Sequence, residues 1–127
     1  MKPTIDERGE ATAQAVIAVP IVLMVLWLAI QATVFLHGAN VASAAANEGA
    51  AAAARYGSGS SIGGRVIDRT LSGLGSSHRA TWKVVRTSAE VTTRVTIKLP
   101  RIAPFFPTTV TRSAREPVER FLKESER

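Results

Sequence analysis

Chemistry in this chain would have to come from 2 histidines, 10 carboxylates and a scatter of hydroxyls, because it has no cysteine. His37 ends a long apolar run and His78 sits in a polar turn. Neither stands at a His-x3-His or comparable ligand spacing, so no metal site is expected. Glu90, Glu116 and Glu119 are the carboxylates a fold can bring together. On a basic surface their expected work is charge balance, not general acid–base catalysis. No Gly-x-Ser-x-Gly elbow is present. The glycines between Ser58 and Gly64 lack the Gly-Lys-Ser/Thr ending that a phosphate-cradling loop needs. The side chains therefore predict no enzyme, no metal and no cofactor.

What the sequence does carry is a physical element. From Ala11 to Asn47 there is no Asp, Glu, Lys or Arg. The centre, Ala15 to Leu36, is long enough as a helix to extend roughly 33 Å. A bilayer's hydrocarbon core is about 30 Å thick. A surface helix of a soluble protein needs a polar face, and none exists between Ala15 and Ile30. The expectation is one transmembrane helix. Pro20 removes a backbone donor inside it and predicts a kink, since the carbonyl of Val16 loses its partner. Trp27 lies near mid-span, where helix packing suits it better than the headgroup level.

The chain's 127 residues leave room for that segment and one small domain. The net charge is +6 and is concentrated after residue 47. A basic surplus of this kind suits nucleic acid or an anionic surface. Here the cations are spaced singly with no interleaved aromatics, which predicts a generally basic, solvated surface.

Following the apolar run, His37 to Arg55 is dominated by alanine, the strongest helix former. One continuous helix from about residue 10 to 55 accounts for both stretches, roughly 65 to 70 Å long, with Gly57 as its C-cap. Small residues such as Ala42, Ala46 and Gly49 allow another helix backbone to come close, as in an assembly. An alanine spacer without partners is the alternative. Ser58 to Gly64 has the composition of a flexible linker. Val66, Ile67, Thr70, Leu71 and Leu74 recur at helical spacing, predicting a short amphipathic helix that stops at Gly75. Beyond Arg79 the period changes to two. Ala80, Trp82 and Val84 form one alternating set, and Val91, Thr93, Val95, Ile97 and Leu99 another, joined through Arg86–Glu90. The proline-rich stretch Pro100–Pro107 cannot pair centrally in a sheet and reads as an extended loop. Phe105 and Phe106 are expected to pack back onto the core, with an exposed contact patch as the alternative. Thr108 to Ala114 offers a third strand, and Pro117 to Arg127 a frayed or disordered tail. The fold class expected is α+β: a long N-terminal transmembrane helix continuing into an Ala-rich extracytoplasmic helix, then one short helix and a two- to three-stranded antiparallel sheet. The expected division is 1–9, 10–57 and 58–127.

The N-terminal boundary, Arg8-Gly9-Glu10-Ala11-Thr12-Ala13-Gln14, leads straight into the apolar helix. With Pro20, with Ala45-Ala46-Asn47-Glu48-Gly49-Ala50 and with Ala54-Arg55-Tyr56-Gly57 following in order, it resembles the TadE-like pseudopilins, minor pilins of tight-adherence pilus systems. The resemblance covers residues 8 to about 57. It implies a structural, membrane-anchored component of pilus assembly, with other pilins or pseudopilins and platform proteins as partners. It also implies a prepilin-type peptidase cutting after Gly9 to leave Glu10 first. Pilins of this kind carry Glu at the fifth position after the cut, and this chain has Gln14 there. An uncharged amide is easier to hold in lipid than an ionised carboxylate, which suits a subunit that stays in the membrane platform.

Lys2 and Arg8 precede the apolar run, and the next cation after it is Arg55, an asymmetry that places the N-terminus in the cytoplasm and the head outside the cell membrane. Two other readings remain. One is a secreted protein cut at Ala42-Ser43-Ala44, although signal-peptide apolar regions run only about 7 to 15 residues. The other is an anchored basic domain that binds nucleic acid.

Overall fold

The structure, a computed structural model, describes residues 7–55, 57–73, 75 and 79–120. Lys2, Leu74, His78 and the tail from residue 121 lie outside the described residues. The order of elements is α1 (Glu7–Ala54), α2 (Ser60–Gly73), β1 (Ala80–Arg86), β2 (Glu90–Lys98) and β3 (Thr109–Pro117). A long apolar N-terminal helix, a short helix and a three-stranded antiparallel sheet make an α+β fold, as the residue patterns predict. The sheet order is β1-β2-β3.

α1 has 48 residues and is about 72 Å long, with Pro20 inside it. It is long and apolar enough to cross a membrane. Its two halves differ in surroundings. From residue 9 to 30 every position is exposed, and from Gln31 onward the buried positions begin. The second half and α2 lie together on one face of the sheet, α1 over β2 and β3 and α2 over β1. The head is therefore a two-layer unit whose core is made of Ala39, Val41, Ala42, Ala45, Ala46 and Ala50 of α1 facing Ile67, Leu71, Val95, Ile97 and Val110.

Alternation in β2 puts Val91, Thr93, Val95 and Ile97 inward. Register then sets Val84 beside Thr93 and Trp82 beside Val95 on one flank, and Val110 beside Ile97 on the other. The opposite face carries Lys83, Arg94 and Ser113 in one row, with Thr96 and Thr111 sharing a 3.0 Å hydrogen bond. One buried polar side chain crosses the layers: Thr93 Oγ1 donates to the Ala46 carbonyl at 2.7 Å. The β1–β2 turn uses Thr87 where Asn-Gly would be usual. The Thr87 N–H donates to the Glu90 carbonyl at 2.8 Å, while the Thr87 hydroxyl oxygen accepts the N–H groups of Ala89 and Glu90.

The stretch expected to be a linker is mostly helix. α2 starts at Ser60, so the connection shrinks to residues 55–59, where Gly57 adopts φ +74°. The reason lies in α1. A Cβ on Gly63 would stand 2.7 Å from the Gly49 carbonyl oxygen and 2.8 Å from the Ala53 methyl. Gly63 is glycine because two helix backbones meet there, and composition alone mimics a flexible segment. The end of α1 has no basic residue in its last turn. Its carbonyls are satisfied from elsewhere: Arg86 donates to the Ala53 carbonyl, and the Glu119 N–H to that of Ala54 at 2.9 Å.

Candidate functional site

The most distinctive place in the molecule is the junction where α1 passes from bare to docked. Its bare half is apolar on all sides. From Val16 to Ile30 the large side chains retain between 41% and 68% of their accessible surface. A helix with apolar residues all round belongs in a protein core or in a membrane.

Gln31 is the first buried side chain, 0% exposed, and it does the work of a clasp. Its Nε2 donates to the Pro100 carbonyl at 3.3 Å, and its Oε1 accepts the N–H groups of Ile102 at 2.7 Å and Ala103 at 3.1 Å. These bonds fasten the β2–β3 connection to α1. The Leu99 N–H closes the base of that connection by donating to Thr108 at 2.7 Å. Leu99 packs so tightly on Gly38 that a Cβ there would lie 2.6 Å from its Cδ2. The two phenylalanines separate. Phe106 packs edge-on against Phe35, with ring centroids 6.0 Å apart and planes at 72°. Phe105 points away and is fully exposed, at φ +63°. The expectation that both rings pack inward holds for Phe106 alone. Between the loop tip and the bare helix lies an apolar cleft of about 520 Å³, bordered by Met24, Trp27 and Leu28 and by Pro104, Phe105 and Phe106.

The residues singled out from sequence distribute themselves along α1. Gly9 and Glu10 are exposed in its first turns, and nothing lies within 4 Å of a Cβ added at Gly9. Gln14 and Pro20 are exposed, and Pro20 borders the far end of the cleft. Ala42 and Ala46 are buried in the core of the head, and Gly49 is covered by Ile67 of α2. Gly49 admits a close helix, and that helix is α2 of the same chain, while Ala42 and Ala46 lie in the core cluster that also holds the sheet residues Val95, Ile97 and Val110. Among the described residues no three His, Asp or Glu side chains gather. Gln31 escapes sequence reasoning as a site residue, whereas the exposed Phe105 fits the contact patch that the sequence offers as the alternative to inward packing. The available signal was Gln31 itself, a lone amide ending a run of apolar side chains.

The arrangement can position, pack and insert. No family model, no curated protein and no solved structure matches the chain.

Proposed function

We propose that this chain is a single-pass membrane subunit of the TadE-like pseudopilin kind, a structural component of a tight-adherence pilus assembly. It acts by helix packing and not by catalysis. The uncharged residues 11–30 occupy the bilayer, the N-terminus faces the cytoplasm, and the α+β head stands outside. The observation that carries this reading is the all-round apolar exposure of Val16 to Ile30, a surface that lipid solvates and water does not. Lys2 and Arg8 on the N-terminal side, with no further cation until Arg55, support the orientation. The open surroundings of Gly9 support access by a prepilin-type peptidase, leaving Glu10 first. Gln14 and its apolar neighbours are then free to meet the helices of other pilins, pseudopilins and platform proteins.

The secreted reading fares less well. Ala42 lies fully buried in the head, so a cut at Ala42-Ser43-Ala44 removes Gln31, Ala39, Val41 and Ala42 from the folded unit. N-terminal sequencing of protein extracted from washed membranes tests the proposal. Glu10 as first residue is the expected result. Ala45 as first residue, on protein found free of membranes, overturns it.

A further inference from the structure

We propose that the β2–β3 connection, residues 99–108, is a second membrane contact: its tip inserts into the lipid beside α1 and seats the head on the bilayer surface. The inference rests on the reading of residues 11–30 as membrane-spanning.

Irregular backbone enters lipid only when its polar groups are satisfied internally. The base of this loop meets that demand, and its tip goes no deeper than the interface, where headgroups and water stay within reach. Pro100, Pro104 and Pro107 have no N–H. The N–H groups of Ile102 and Ala103 and the carbonyl of Pro100 are held by Gln31, and the Leu99 N–H by Thr108. Gln31 is thus a buried amide whose bonds lie with the loop backbone, at the level where α1 becomes bare. The loop's side chains are those an interface favours. Phe105 projects without a partner, held outward by a left-handed backbone conformation that bulky residues rarely adopt. Aromatic and apolar side chains at the boundary bury into the headgroup and acyl region.

The tip is continuous with the apolar belt. The cleft that Phe105 and Phe106 share with α1 reaches Met24, about 10 Å along the helix from Gln31. Charge agrees as well: Lys98 and Arg101, both exposed, lead into the apolar tip, where their long side chains can reach phospholipid headgroup phosphates. A second copy's helix would cover one side of the belt, whereas the belt is apolar on every side. Lipid is the occupant that satisfies loop and belt together.

The absence of cysteine makes the test direct. Single cysteines introduced as Phe105→Cys, Met24→Cys and Val85→Cys carry a nitroxide in the full chain, reconstituted in vesicles of zwitterionic and anionic phospholipid. Relaxation by oxygen, which concentrates in lipid, is compared with relaxation by a water-soluble nickel chelate. The expected result is a severalfold higher oxygen-to-nickel ratio at 24 and 105 than at 85 on the outer sheet face. A lipid-like ratio at 24 with a water-like ratio at 105 overturns the loop insertion and leaves the spanning helix standing. Water-like ratios at both overturn both. Shielding of 105 from both reagents means a protein partner covers it, and the lipid assignment fails.

Discussion

Residues 9–30 and 31–54 of α1 belong to one unbroken helix, yet they follow opposite packing rules. The first part has the large apolar side chains, Val, Ile, Leu, Met and Trp, and keeps them exposed. The second part has mostly alanine and glycine and is the half that builds the core. Size of side chain therefore does not decide what is inside. Small residues let α2 and the sheet approach the helix axis, and the close approach buries backbone and methyl surface together. Large residues hold neighbours at a distance and offer their surface to whatever surrounds the rod. The difference teaches that the core of this protein is chosen by reach, and its belt by solvent.

The strongest way to break one region without the other is Leu71→Ala. Leu71 is 1% exposed in the core of the head, and the loss should cost about 2 to 5 kcal/mol. Chemical unfolding in detergent micelles, followed by the circular dichroism of the sheet, should move by that amount. Recovery of the protein in membranes should stay unchanged. The complementary change is Val22→Arg, in the middle of the belt. It should impair insertion by about 2.5 to 3.5 kcal/mol if placed at mid-bilayer. Protein solubilised in detergent should keep the unfolding midpoint of the parent. If Val22→Arg is found in membranes as abundantly as the parent, the belt is not a spanning segment.

This contrast also marks where sequence is enough and where it is not. The belt was legible because an uncharged run from Ala11 to Asn47 has few physical meanings. The strands were legible because Val91, Val95 and Ile97 repeat at period two, and the Thr87 turn falls between the two alternating sets. Gly63 and Gly64 have the composition of a linker and the role of packing sites. A glycine that bends a chain and a glycine that admits a neighbour look identical until the neighbour is known, and the neighbours here are Gly49, Ala53 and the Trp82 ring. The role of Gln31 is illegible in sequence for the same reason. Its three hydrogen bonds go to residues about 70 positions away, and no local pattern encodes that distance.

A finer cut falls on the two polar side chains buried at either level of the docked half. Thr93→Val removes the hydroxyl that donates to the Ala46 carbonyl, with little change of shape. It should cost about 1 to 3 kcal/mol, read as a shift of the unfolding midpoint of the whole head. Gln31→Leu leaves the N–H groups of Ile102 and Ala103 without their acceptor and should cost a similar amount. Its effect should be local. Amide hydrogen exchange should speed up at 102 and 103 while Val95 and Ile97 in β2 stay protected. Uniform loss of protection across the sheet would mean that the clasp holds the entire head, and the boundary between the two regions would not lie at Gln31.

The smallest expected effect is the most discriminating. Leu26→Ala removes the same atoms as Leu71→Ala, but from a side chain that is 51% exposed on the belt. In the head the deletion opens a cavity inside the buried cluster that Leu71 shares with Ile67 and Val95, which relaxes only in part. On the belt, mobile surroundings fill the space, so stability in micelles should change by no more than about 0.5 kcal/mol. The pair of leucines then measures solvent against core with the chemistry held constant. Should Leu26→Ala cost as much as Leu71→Ala, Leu26 is packed against protein, and the first half of α1 is an interface with a fixed partner instead of a surface wetted by lipid.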